Sequence, residues 1–329
     1  MASRLRWLWS RRKRVAFSAL LLALILINAL AYMHARAMTH FQASAFRTAK
    51  PESLTILQKV GVLLTGVDNP RPENRSTPDS LGLPFAVHQV KSDNGVTLEA
   101  WHVPRERAKA LILMFHGYAG CKANLLGEAG ALHELGYAVL LVDFRGCGGS
   151  SGSETSLGLA EAQDVRQVWD YARLTWRNQP VILYGQSMGS AAILRALSLH
   201  EEVQPAASVL ECPFDKLRST VGNRFTAMGL PAFPGADLLL FWGSVQMGFN
   251  GYRHNPVEYA KAVRSPVLLL HGRKDMRVLP EQAEAIFENL AGDKIYKVFE
   301  AAGHESFITA CPAEWKQTIS AFLALRLAF

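Results

Sequence analysis

From about residue 85 onward, short apolar runs alternate with stretches of helical spacing. Two runs, AVHQVKS at 86–92 and TLEAWHV at 97–103, switch between apolar and polar positions with period two. That period turns one face to a core and the other to water, so the pair predicts a half-exposed hairpin turned at Asp93-Asn94-Gly95. Six later runs show no alternation: ALILMFH (110–116), YAVLLVD (137–143), PVILYG (180–185), ASVLEC (207–212), PVLLLHG (266–272) and KIYKVFE (294–300). Continuous apolar strands are those covered on both faces. Helical periods lie near 122–135, 157–176, 188–200, 280–290 and 312–327. This order predicts an α/β fold: a mainly parallel sheet, right-handed crossovers and helices on both faces.

Residues 213–264 break the rhythm, being too long for one crossover. They hold Phe214, Phe225, Phe233, Phe241, Trp242, Phe249 and Tyr252 among several Gly and Pro. The reading is a small helical cap inserted over the sheet's C-terminal edge within a catalytic domain at 85–329. A longer ordinary crossover is the alternative.

The N-terminal third reads differently. VAFSALLLALILINALAYM at 15–33 carries no charge, and Asn28 is its one strongly polar residue. As a helix it would be about 28 Å long, close to the hydrocarbon thickness of a bilayer. Trp7 and Trp9 suit an interfacial aromatic belt, and the basic segment 1–14 should stay in the cytoplasm. The segment is therefore expected to be a transmembrane signal anchor. The body would then lie on the non-cytoplasmic side, which is the periplasm in a bacterium. The rival is a cleaved signal peptide and a secreted body, since Ala35-Arg36-Ala37 has the A-x-A form. Residues 34–84 form a connector, with a possible helix at 52–64 and an extended end around Pro70, Pro72 and Pro78.

Charge changes little once it is located. The 329 residues carry a net charge of +7, and six of those charges are Arg4, Arg6, Arg11, Arg12, Lys13 and Arg14. The rest is near neutral, so no nucleic-acid footprint remains on the body. Cys121, Cys147, Cys212 and Cys311 show neither a C-x-x-C nor zinc spacing. They read as buried free thiols, with a Cys121–Cys147 disulfide as the alternative in an exported body. Asn74-Arg75-Ser76 matches a glycosylation sequon, which in one copy carries almost no information.

The chemistry centres on Gly185-Gln186-Ser187-Met188-Gly189, a G-x-S-x-G between an apolar strand and a helical stretch. The strand–turn–helix context is what such a nucleophile turn requires. The glycines remove Cβ clashes, and the helix behind aims N–H groups at a developing oxyanion. A free serine is a poor nucleophile, so a base is needed. Of ten histidines, His304 alone follows the last strand before the final helix. His116 and His271 close strands and read as structural, and His102 and His200 as surface or core. Asp275 is the candidate for the acid that orients the base, with Glu211 one strand earlier as rival. Met188 and Tyr118 are the expected backbone oxyanion donors, and the Tyr118 ring is expected to line an acyl pocket. The loop Asp143–Ser150 suggests a dinucleotide fingerprint but lacks the third glycine, since position 151 is Ser.

The segments HGYAG, DFRGCGGSSG, GQSMG, HGRKD and GHESF, in this order, resemble the α/β-hydrolase superfamily. The likeness, over about residues 85–327, is to its serine-aminopeptidase-like and monoglyceride-lipase-like branch, including membrane-anchored members. It implies an eight-stranded sheet, a variable cap and no cofactor or metal. It supports Ser187, Asp275, His304, Met188 and Tyr118 in the roles above. The expected reaction is hydrolysis of carboxylic, lipid-like acyl esters through an acyl-enzyme. A peptidase or thioesterase of the same fold is the enzymatic alternative, and a membrane-tethered scaffold the non-enzymatic one.

Overall fold

The computed structural model describes residues 2–42, 46–49, 53–91 and 95–327, the first nine of these as backbone only. Asp93 and Asn94 of the expected hairpin turn, and the side chains of Trp7 and Trp9, lie outside what is described.

The eight expected strands form one sheet. They are β1 (Ala86–Lys91), β2 (Thr97–Val103), β3 (Leu111–Phe115), β4 (Ala138–Val142), β5 (Val181–Gln186), β6 (Ala207–Glu211), β7 (Val267–Gly272) and β8 (Lys294–Phe299). Their order is β1-β2-β4-β3-β5-β6-β7-β8. β2 runs antiparallel to β1 and to β4, and every other pairing is parallel. Every residue of β3, β4, β6 and β7 is buried, as their unbroken apolar runs require. Leu111, Leu113 and Phe115 of β3 face one core, and Ile112 and Met114 the other.

Helices fill both faces. α4 (Glu161–Thr175), α5 (Met188–Leu199) and α9 (Pro280–Asn289) cover the first, burying Val165, Val168, Ile193, Ala196 and Ile286. α3 (Leu126–Glu134) and α11 (Pro312–Leu327) cover the second with Leu126, Leu132, Trp315, Ile319 and Phe322. A short α10 (Phe307–Ala310) precedes α11. Between β6 and β7 the chain runs through α6 (Leu217–Ala227), α7 (Gly235–Met247) and α8 (Pro256–Tyr259). Leu217, Val221, Ala236, Leu239 and Leu240 pack there with Ala191 of α5 and with Val278. The insertion therefore rests directly above the helix that follows Ser187.

The N-terminal helix α1 spans Ala2–Thr39 and does not stop where the apolar run ends at 33. Its stretch from Arg11 has a mean hydropathy of 2.3 in its most apolar window and fits a single-pass membrane anchor. The reason it continues is packing: Ala35, Ala37 and Thr39 are buried. The connector is also more engaged than a linker. Its helix α2 (Ile56–Thr65) starts at a Thr55/Gln58 capping box. Arg71 donates to the carbonyls of Gly148, Ser150 and Gly152, and Gly148 N–H donates to Pro72 O at 2.9 Å.

Candidate active site

Ser187 sits at the turn between β5 and α5, with φ +52° and ψ −108°. A non-glycine residue is strained there, and the turn persists because its surroundings hold it. Ser187 N–H donates to Glu211 O at 2.7 Å. Ser190 Oγ donates to Gly185 O at 2.7 Å and lies 3.0 Å from Glu211 O. The flanking glycines are needed for space. A Cβ on Gly185 would lie 2.6 Å from Ser190 N, and one on Gly189 would lie 2.3 Å from Phe115 O.

Ser187, His304 and Asp275 lie in a hydrogen-bonded line. Ser187 Oγ is 3.1 Å from His304 Nε2, and His304 Nδ1 is 2.6 Å from Asp275 Oδ2. Asp275 Oδ1 accepts from the N–H groups of Arg277 and Val278 at 2.8 and 2.9 Å. Burial alone would push this carboxyl up, but His304 and the two backbone donors outweigh it and hold it below the usual range. An ionised Asp275 favours the Nδ1–H tautomer of His304, in which Nε2 can accept a proton from Ser187.

A Cβ on Gly117 would lie 3.6 Å from that of Ser187, so the loop after β3 borders the nucleophile. Among the described residues, the N–H groups of Tyr118 and Met188 have no hydrogen-bond acceptor. The Tyr118 side chain departs from expectation. Its hydroxyl donates to Met38 O at 2.7 Å and accepts from Asn69 Nδ2 at 3.0 Å, and the Arg224 guanidinium lies 5.2 Å above its ring. The polar end ties the ring to the end of α1, so it braces that helix.

The histidines that close β-strands make structural contacts. His116 is buried, with Nδ1 2.8 Å from Gly117 O and Nε2 accepting from Phe144 N–H at 3.1 Å. His271 Nε2 bonds Val278 O at 3.0 Å. His102 packs on Trp176, with ring centroids 4.5 Å apart. All four cysteines are free thiols, so Cys121 and Cys147 are not bridged. The aromatic residues of the insertion divide. Phe214 and Phe225 pack inward, Tyr252 donates its hydroxyl to Asp237 O, and Phe233 and Phe241 face outward.

Two neighbours of the site, Cys212 and Glu128, had escaped sequence reasoning as such. Cys212 lies with Asp275 and His304 in a group whose polar atoms are within 4.8 Å of one another. Burial pushes its thiol well up, so it is a neutral neighbour to the acid. Glu211, the rival acid, does not touch His304. Its Oε1 accepts from Trp315 Nε1–H at 2.7 Å. Burial and then the nearby Glu128 push Glu211 up to about 8. Glu128, itself raised by burial, accepts from Ser306 Oγ at 2.6 Å, two residues past His304. A carboxyl raised on folding binds a proton that the unfolded chain has lost, so stability falls as pH rises from about 4.5 to about 8. Glu211→Gln should remove most of that slope while hydrolysis continues. Thermal unfolding from pH 5 to 8 measures it, and an unchanged slope would count against this account.

A family model described as "Serine aminopeptidase, S33" matches residues 106–236. The chain is 31% identical over 218 residues to the uncharacterized protein Rv2307c of Mycobacterium tuberculosis, covering 65% of this chain and 70% of that one. It belongs to the serine-aminopeptidase-like branch of the α/β-hydrolase superfamily. This hydrolase is thus a serine hydrolase by family. It is also 27% identical over 197 residues to the lysophosphatidylserine lipase ABHD12 of Mus musculus, covering 58% of this chain and 48% of the lipase. It therefore spans about half the length of that relative. Among solved structures, the esterase Pf2001 of Pyrococcus furiosus shares the fold with a TM-score of 0.66 at 23% identity, over 77% of this chain and 96% of that one.

Proposed function

We propose that this hydrolase cleaves carboxylic, lipid-like acyl esters, with Ser187 as nucleophile, His304 as general base and Asp275 as the orienting acid. The observation that carries the reading is the hydrogen-bonded line from Ser187 Oγ through His304 to Asp275 on a strained turn. His304 Nε2 takes the Ser187 proton as Oγ attacks the carbonyl carbon. The N–H groups of Met188 and Tyr118 receive the oxyanion at the positive end of α5. His304 then protonates the leaving alcohol, an acyl-Ser187 forms, and His304 activates water to release the acid. A fluorophosphonate probe should label the chain and fail to label Ser187→Ala. Labelling elsewhere would remove the assignment.

Esters are favoured over aminoacyl amides by what happens to the acids of the insertion, here read as a cap. A bound substrate ammonium needs a carboxylate partner. Asp215 accepts from Gln282 Nε2 at 2.6 Å, Asp237 is paired with Arg218 at 2.7 Å, and Glu258 with Lys261 at 2.7 Å. The layer between insertion and nucleophile is apolar, with Leu157, Ala191, Phe214, Leu217 and Val278. The names of relatives point the same way, being a lipase and an esterase. Each buried methylene contributes about 0.8 kcal/mol, so two added acyl carbons should raise kcat/KM roughly tenfold until the site is full. Rates across p-nitrophenyl acyl lengths from two to twelve carbons measure this. A flat profile, or faster cleavage of aminoacyl p-nitroanilides than of esters, would overturn this preference.

The reading includes a membrane anchor at α1, with the basic segment 1–14 in the cytoplasm and the body outside it. Cleavage near Ala37 fits less well, because residues on both sides of that point are packed into the body: Ala35, Ala37, Thr39 and Phe41 are all buried.

A further inference from the structure

We infer that the insertion helix α7 and the connector helix α2 sit in the leaflet where α1 leaves the bilayer, so that the hydrolase takes its substrate from that leaflet. The inference rests on the reading of α1 as a membrane anchor.

The decisive contacts lie inside the apolar run of α1. Trp242 Nε1 donates to Asn28 Oδ1 at 3.1 Å, which explains the one strongly polar residue of that run. The Trp242 ring meets Tyr32 edge to face at 5.5 Å, and Gln246 Nε2 donates to Tyr32 O at 2.9 Å. A helix rises about 1.5 Å per residue, so Asn28 lies about 21 Å beyond Arg14 along α1. The hydrocarbon layer is about 30 Å thick. With Arg14 at the near edge, the Asn28–Trp242 contact falls roughly 9 Å short of the far edge. An element that touches α1 at that depth shares its solvent.

The rest of α7 suits that solvent. Its inner face buries Ala236, Leu239 and Leu240. Its outer face presents Phe241, 47% exposed, and Val245 one turn on. Its one charged residue, Asp237, is paired with Arg218. α2 is held nearly two turns further along α1, at the far edge of the hydrocarbon layer. His34 Nε2 bonds Leu63 O at 3.1 Å, and His34 lies about 30 Å beyond Arg14. Lys59 Nζ donates to Ala227 O at the end of α6. α2 buries no residue, yet it exposes Ile56, Leu57, Val60 and Leu64 along one stripe, Leu57 by 84%. A helix with an apolar stripe open to water is what the headgroup boundary stabilises. α7 also packs, through Leu239 and Leu240, on the layer that contains Ala191 of α5, which joins the leaflet-facing helix to the element behind Ser187.

The test uses the full chain in lipid nanodiscs, with Cys311→Ser and single spin-labelled cysteines at Phe241, Leu57, Leu22 and Leu174. Power saturation reads exposure to oxygen against a water-soluble nickel chelate. Labels at Phe241→Cys, Leu57→Cys and Leu22→Cys should favour oxygen, and Leu174→Cys on α4 should favour the chelate. If Leu22 favours oxygen while Phe241 and Leu57 match Leu174, the docking is wrong and the anchor stands. If Leu22 favours the chelate, the anchor fails and the inference with it. The double variant Phe241→Asp/Leu57→Asp should hydrolyse a long-chain ester in vesicles about tenfold more slowly and p-nitrophenyl acetate at the original rate. An equal fall on both substrates overturns the inference.

Discussion

Replacing Ser187 or His304 by alanine is expected to lower ester turnover by on the order of 10⁴ or more while leaving the fold intact. The size follows from the roles. Without Oγ no acyl-enzyme forms, and without the imidazole the hydroxyl stays protonated at neutral pH. Combining the two substitutions should cost little more than either alone, because groups that act as a unit are not additive. Asp275→Asn should also fall steeply. The amide can accept at only one oxygen and would favour the tautomer that presents Nε2–H to Ser187. Glu211→Gln is the control, since its contact is with Trp315. Steady-state kinetics on one ester, with unfolding curves to show that each variant is folded, checks the set. Should Glu211→Gln prove more damaging than Asp275→Asn, the acid has been misassigned.

Lys122→Met should destabilise the body by about 3–5 kcal/mol, the usual consequence of removing one partner from a buried charge pair. Lys122 is wholly buried, with Nζ on Asp143 Oδ2, 2.8 Å from Glu99 Oε1 and 4.2 Å above the Trp101 ring. Asp143 also accepts from the N–H groups of Lys122 and Gly149 and from Asn74 Nδ2, at 2.7, 2.9 and 2.7 Å. Burial would raise the Asp143 carboxyl, but the Lys122 charge leads the effects that bring it below its ordinary value. A depressed carboxyl contributes stability above its unfolded pKa and loses it as pH falls through the folded one. In the variant the counter-charge is gone and burial prevails, so the deficit should be largest at neutral pH and shrink on acidification. For a body of this size the fall in Tm is roughly 6–20 °C. Calorimetry at pH 7 and pH 5 measures both parts. A shift under about 2 °C at pH 7 would falsify the view that this ion cluster holds the loop after β4.

The strands and the nucleophile turn were legible because their signals are local. β3 to β7 are unbroken apolar runs, and Ser187 is bracketed by glycines at fixed offsets. His304 and Asp275 could be named from their places after strands. What escaped depends on residues far apart in the chain. Glu128 and Ser306 meet across 178 positions, and Trp315 reaches Glu211 across 104. No periodicity foretells such pairs. Tyr118 is a mixed case: its place after β3 could be read, but the turn of its ring toward α1 depends on Met38 and Asn69. Asn28 looked like a tolerated blemish in an apolar run until Trp242 supplied its partner.

The last turn of α1 reaches the nucleophile turn through Thr155, by one hydrogen bond and one sulfur contact. Thr39 O accepts from Thr155 N–H at 2.9 Å, and Thr155 Oγ1 lies 3.6 Å from Sδ of Met188, the residue after Ser187. Cutting the chain after α1 is therefore not neutral for the enzyme. A chain begun at residue 43 would lose the Thr39 and Met38 carbonyls, leaving Tyr118 OH and Thr155 N–H to find water, and would bare the Trp242 side of α7. A chain begun at Asn28 keeps all of these contacts. The longer soluble form should melt higher and turn over faster, and comparing the two by calorimetry and ester kinetics tests it. For production of a soluble enzyme, the useful cut lies inside the apolar run rather than after it.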